Sequence, residues 1–172
     1  FTVGLLKALY GIKGKMSSKE FLAKDAIYVE QELIGEIVGS QDQIAAAFGG
    51  LNKIHFSRGG DFNVTPVILD GSRRDEFNAH LMLFFTGFSR TASRVAAAQI
   101  KNIEKHHREL SVIHSMVDQA TSILQNSAES ILSFGTLLHE SWMLKRRLSE
   151  KITTPVIDEI YQSSVKAGAL GG

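Results

Sequence analysis

The sequence contains no cysteine among its 172 residues, which excludes disulfide staples, thiolate metal sites and a cysteine nucleophile. Proline is nearly absent as well, at two residues, and with 44% hydrophobic and 22% charged residues the balance is that of an ordinary globular chain. Charge of one sign is missing: 19 basic and 18 acidic residues give a formal net charge of +1 and are spread along the chain, so no polybasic arm points to nucleic acid. No apolar run reaches the roughly 20 residues that span a bilayer, and the first residues lack the pattern of a signal peptide. The expectation is a soluble, cytoplasmic protein without a nucleic-acid or membrane partner. GxSxG, HExxH, GxGxxG and GxxxxGK[ST] are all absent, so hydrolase, zinc-protease, dinucleotide and P-loop readings have no support.

What is present reads mainly as helix. Phe1 to Tyr10 has apolar residues at helical spacing, but nothing precedes it to cap its first amides, so the chain reads as one cut inside a helix. Ser17-Ser18-Lys19-Glu20 opens a helix expected to run to Gly35. GSQDQIAAAFGG predicts a turn, a short Ala-rich helix with Asp42 at or near its N-terminus, and a glycine stop. Leu51 to Phe56 and Phe62 to Leu69 alternate around Arg58-Gly59-Gly60-Asp61 as a hairpin does. The short run HLMLFF, residues 80–85, fits a buried strand leading into the loop FTGFSRTAS. From Thr91 to about Leu148 the pattern is helical, with breaks expected near Leu110 and Gly135, and Thr154-Pro155 restarts a helix. No repeat or flexible linker occurs, and Leu69 to Ser72 is the expected domain boundary.

Three groups of residues can carry chemistry. Glu30 and Glu32 end one helix and Asp42 opens the next, so carboxylates of the kind needed by a magnesium ion or an activated hydroxyl could converge. The same spacing equally suits solvated glutamates and a helix-capping aspartate. Arg90 and Arg94, in and just after GFSRTAS, sit at a loop-to-helix junction where a guanidinium can hold a phosphate, although surface arginines are common. In HESWMLKRRLS, His139, Trp142, Lys145 and Arg146 share a helical face, either an aromatic platform beside cations or a core tryptophan beside a basic strip. The pair His106-His107 lies in a charged run without metal-ligand spacing and reads as solvated.

FTVGLLKAL, VEQELIGEIVGSQDQIAAAFGGLN, LMLFFTGFSRTAS and LLHESWMLKRRLSEKIT with IDEIYQSSVKAGALGG follow one another in the order found in GHMP kinases. Through most of its length the sequence resembles that family, and within it the bacterial D-glycero-D-manno-heptose 7-phosphate kinases. In the family, a glycine- and serine-rich loop precedes the helix that resembles Phe1 to Tyr10, and a second glycine-rich stretch follows the one that resembles AGALGG. Neither is in this sequence, so the resemblance implies a middle segment that carries no ATP-binding loop of its own.

The resemblance implies an α+β fold of two domains with the active site between them. Residues 1–69 would be the latter part of an N-terminal, ATP-binding domain, and residues 70–172 an incomplete C-terminal domain of helices on a small antiparallel sheet. It further implies ATP and Mg2+ as cofactors, with Asp42 orienting or deprotonating the attacking hydroxyl and Glu30 holding the metal, Glu32 being the second choice. Arg90, Trp142, Lys145 and Arg146 fall to the sugar-phosphate side, on charge logic as much as resemblance. The implied reaction is phosphoryl transfer from ATP to the anomeric hydroxyl of a heptose 7-phosphate, toward nucleotide-activated heptose for surface polysaccharide. Open alternatives are a fucose- or galactose-type kinase of the family and a non-catalytic helical interaction module. A homodimer is left open.

Overall fold

The computed structural model describes residues 1–86, 103–150 and 152–172. Arg90, Arg94 and the loop GFSRTAS lie outside the described residues. Helices dominate and one two-stranded antiparallel sheet accompanies them, an α+β architecture as the sequence implies, but the sheet falls within residues 52–66 and not in the C-terminal part, whose described residues are helical without a strand. The described residues form two compact units, Phe1–Pro66 and the residues from Val67 onward.

In the first unit, α1 (Thr2–Ile12), α2 (Lys19–Tyr28) and α3 (Gln41–Phe48) pack together around Val3, Leu22 and Ala26, with Leu6, Tyr10 and Ala47 against them. Ala23, Ala26 and Ile44 are fully buried. Two alanines on α2 remove side-chain bulk and allow α3 to approach closely, the reason these small residues matter more here than their helix propensity. The cap of α2 is Ser18, whose Oγ accepts from the Phe21 amide at 3.1 Å. Glu20, in the first turn, pairs with Lys24 one turn on at 2.9 Å. Tyr10 donates its hydroxyl proton to Asp25, and this hydrogen bond, with burial, raises the phenol's pKa above the ordinary tyrosine value.

The regular helix expected to reach Gly35 stops at Tyr28. It widens into a π-helical turn, Val29–Leu33, in which the Ile34 amide donates to the Val29 carbonyl five residues back at 2.9 Å. Gly35, at φ +75, then takes the left-handed conformation that turns the chain toward α3. The hairpin forms where expected but shorter, β1 (Asn52–Phe56) pairing with β2 (Phe62–Pro66) in a register that sets Ile54 opposite Val64. Its Phe62 meets Phe48 of α3 edge-on at 6.1 Å.

The second unit contains α4 (Gly71–Ala79), α5 (His107–Gln125), α6 (Leu132–Leu148) and α7 (Pro155–Lys166). Met116, Ile123 and Leu137 form its core, with Ala120, Phe134 and Leu144 packed on them, and Phe77 of α4 meets Phe134 edge-on at 5.1 Å. Thr154 caps α7 as the Thr-Pro signal predicts, its Oγ accepting from the Ile157 amide.

Arg73 of α4 is 5% exposed, and its guanidinium is almost wholly spent on main-chain carbonyls where α5 ends. Nη2 donates to Ile123 at 2.6 Å, Glu129 at 2.8 Å and Asn126 at 3.3 Å, Nε donates to Leu124 at 3.3 Å, and Nη1 donates to Glu76 at 2.9 Å. The last carbonyls of a helix lack intrahelical donors and carry the negative end of its dipole, so one rigid fork satisfies them and fixes the turn into α6. Asp70 holds the base of α4, accepting from the Arg73 amide and the Ser72 hydroxyl, both at 2.7 Å. The Arg73 amide first, and Ser72 second, hold its carboxyl below the ordinary aspartate pKa.

Three expectations fail in this unit. The helix break falls at residues 126–131 rather than near Leu110, since α5 runs unbroken from His107 to Gln125. Gly135 breaks nothing. It lies inside α6 and makes room: a Cβ there would come within 2.8 Å of the Leu170 Cβ, and one on Gly171 would collide with the Gly135 carbonyl and reach 2.5 Å from the His139 amide nitrogen. The segment after α7 therefore lies with its backbone against α6, a contact only glycine permits. Residues 80–85 are not a buried strand; Leu83 is 98% and Phe85 93% exposed, and no ladder partner is present among the described residues.

Arg73→Met should lower unfolding stability by roughly 3 kcal/mol or more, because several buried carbonyls lose a charged donor together, and Arg73→Lys should not restore it, since an ammonium cannot span the same acceptors. Chemical denaturation of the three proteins measures this. Gly171→Ala should cost about 1–3 kcal/mol and open the terminal segment to limited proteolysis, whereas Gly59→Ala on the hairpin turn, where a Cβ would meet only the Ser57 Oγ at an ordinary 3.9 Å, should cost little. The Asp70 contribution is present above the carboxyl's unfolded pKa and is lost as pH falls through its lowered folded value. The stability gap between the native chain and Asp70→Asn should therefore be constant near neutrality and shrink below about pH 4.

Candidate functional site

Glu30 and Asp42 come from neighbouring elements of the first unit, and the contact between those elements is polar. Glu30 stands in the π-helical turn, half-buried, and its Oε2 accepts from the side-chain amide of Gln43 in α3. Gln31, next in the chain, donates through Nε2 to the Val38 carbonyl at 2.9 Å and the Ser40 hydroxyl at 3.2 Å. Consecutive residues thus both reach toward α3, one holding its first turn and the other the loop before it. Asp42 occupies that first turn, exposed, while the cap position belongs to Ser40, which makes no side-chain capping bond. The capping role for Asp42 that spacing alone allows is therefore not the one it takes. Glu32 is exposed in the same turn as Glu30.

Gln43, not singled out from the sequence, is 4% exposed, and its Oε1 is buried without a hydrogen-bond partner. The orientation is imposed by Glu30, because a carboxylate accepts and only the amide nitrogen can face it. Leaving an amide oxygen buried and unpaired costs about 1–3 kcal/mol, which an apolar side chain at this position would not incur. The signal available in the sequence is a glutamine four residues before Ala47, on the face of α3 that enters the core.

As a metal donor set, this is one carboxylate. Among the described residues no group of three His, Cys, Asp or Glu side chains converges. That excludes an all-protein cage there but fits Mg2+, which keeps several waters and takes one or two carboxylates together with substrate phosphates.

His139, Trp142, Lys145 and Arg146 lie in the second unit. The face read from periodicity exists, but α7 covers it. His139 Nδ1 is 2.6 Å from the Tyr161 hydroxyl and its ring stacks on that of Tyr161, with Trp142 against the same ring at 5.9 Å. Arg146 lies 5.9 Å from the Trp142 ring centre and pairs with Asp158 of α7 at 3.1 Å, while Thr153 donates to the same carboxylate oxygen at 2.9 Å. Burial lifts the Tyr161 phenol's pKa, partly opposed by Arg146. Lys145 is exposed. A cavity of about 560 Å3 in this unit is lined by residues such as Phe77, Met82, Phe134 and Leu170, without a Lys, Arg, Asp or Glu, so its wall does not suit a phosphate.

No protein-family model matches the chain. A D-glycero-alpha-D-manno-heptose 7-phosphate kinase of Campylobacter jejuni is 30% identical over 180 residues, which cover 99% of this chain and 50% of that relative. The crystal structure of a D-glycero-D-manno-heptose 1-phosphate kinase from Bacteroides thetaiotaomicron shares the fold with a TM-score of 0.59 at 23% identity, over 99% of this chain and 46% of that one. The chain spans about half the length of the curated relative it matches. In sequence and in fold, over essentially all of its residues, the chain is similar to heptose-phosphate kinases of the GHMP family.

Proposed function

We propose that the protein is an ATP-dependent sugar kinase, cytoplasmic, that phosphorylates the anomeric hydroxyl of a heptose 7-phosphate for nucleotide-heptose synthesis. The observation that carries this reading is the 30% identity to a heptose 7-phosphate kinase along 99% of the chain. The polar contact between the π-helical turn and α3 supports it, since it fixes a half-buried carboxylate beside the turn that carries an exposed one. On this reading residues 1–69 and 70–172 are parts of the family's N-terminal and C-terminal domains.

In this mechanism Asp42 orients the acceptor hydroxyl and takes its proton as the sugar oxygen bonds to the γ-phosphorus of ATP and the bond to the β–γ bridging oxygen breaks, releasing ADP. Glu30 would hold Mg2+, which when bound would supply charge neutralisation for phosphoryl transfer. Arg90 and Lys145 serve the sugar phosphate as cations. Trp142 and Arg146 contribute to that side through the face they share with α7, Arg146 remaining paired with Asp158.

Coupled ADP release by the intact gene product, with heptose 7-phosphate, heptose 1-phosphate and unphosphorylated sugars compared, tests the reading. Turnover should depend on heptose 7-phosphate, and Asp42→Asn should lower kcat by about 100-fold or more at unchanged stability. Turnover only with free sugars moves the protein to a fucose- or galactose-type activity, and no turnover with any sugar leaves a helical interaction module.

A further inference from the structure

We infer that Gln43 is a positioning residue for the metal-binding carboxylate. Its amide holds the Glu30 side chain in the orientation from which the free oxygen meets Mg2+. The inference deepens the reading above and rests on Glu30 as the metal ligand.

The argument starts from what Gln43 gives up. It is 4% exposed, on the face of α3 that packs into the core, where Leu or Met would fill the space with no polar atom to satisfy. Instead it buries an amide whose oxygen has no donor. A packing role alone does not account for such a residue. The amide's other end accounts for it, because Nε2 donates to Oε2 of Glu30.

Glu30 needs an external restraint. It stands in a π-helical turn, whose hydrogen bonds span five residues rather than four, and is half-buried between the end of α2 and α3. Free glutamate rotamers would scatter its carboxylate, and a single carboxylate that must meet an ion together with water and phosphate oxygens gains most from being held beforehand. Gln43 occupies one carboxylate oxygen with a neutral donor, which restrains the group, and the other oxygen accepts no hydrogen bond among the described residues. A lysine or arginine there would also hold the carboxylate but cancel the charge that attracts the ion. Gln31 adds a second tie, from the same turn to Val38 and Ser40 just before α3.

The test measures metal binding directly. Mn2+ is titrated into the intact gene product with a non-hydrolysable ATP analogue, and binding is followed by enhancement of water proton relaxation. Native protein, Gln43→Met and Glu30→Gln are compared, with thermal unfolding of each. Gln43→Met keeps length and apolar bulk but cannot donate, so it should unfold at or above the native temperature while Mn2+ binds 10- to 100-fold more weakly, the usual cost of removing such an outer partner. Glu30→Gln should weaken binding at least as much. If Glu30→Gln weakens Mn2+ and Gln43→Met does not, the positioning role is wrong and the metal reading stands. If neither weakens it, Glu30 is not the ligand and both fall. If Gln43→Met does not fold, Gln43→Leu replaces it, and failure of both to fold makes Gln43 structural and overturns the inference.

Discussion

The second unit depends on one buried guanidinium. Arg73 gathers the carbonyls of Ile123, Leu124, Asn126 and Glu129, so α4, the end of α5 and the turn into α6 are held by a single side chain. A buried cation is expensive unless its donors are used, and here two of the acceptors, the Ile123 and Leu124 carbonyls, are groups that a helix end leaves without intrahelical partners in any case. The apolar core of Met116, Ile123 and Leu137 is small, and the polar staple determines which way its helices run into one another. Packing of Phe77 against Phe134 follows from that placement.

In the first unit the corresponding constraint is weaker and more specialised. Alanines on α2 bring α3 close, and the π-helical turn then directs Glu30 and Gln31 at α3 and its preceding loop. The widened turn sacrifices regular hydrogen bonding to aim two adjacent side chains, a departure typical of sites rather than of scaffolds. The guanidinium staple thus belongs to one unit and the glutamine-held carboxylate to the other.

Much of the secondary structure was legible, for reasons local to the chain. Ser18 and Thr154 cap the helices they were expected to start or adjoin, and the glycine turn at Gly59-Gly60 joins the two strands. What escaped depended on partners distant in sequence. Gly135 reads as a helix breaker until Leu170 and Gly171 are known to lie on it. Apolar periodicity does not distinguish an α-helical turn from a π-helical one, so Val29–Leu33 looked like more of α2. Glu30 and Asp42 could be named from their surroundings in the chain, but Gln43, which links α3 to Glu30, was indistinguishable from any polar residue of a short helix. The run at 80–85 has strand composition, yet composition cannot supply a neighbouring strand.

That run carries a further meaning. Leu83 and Phe85 are almost fully exposed and Leu81, Met82 and Phe84 at least half so, with no charged residue or proline among them. An uncharged, proline-free apolar stretch of this kind is a template on which identical chains stack unless another segment covers it.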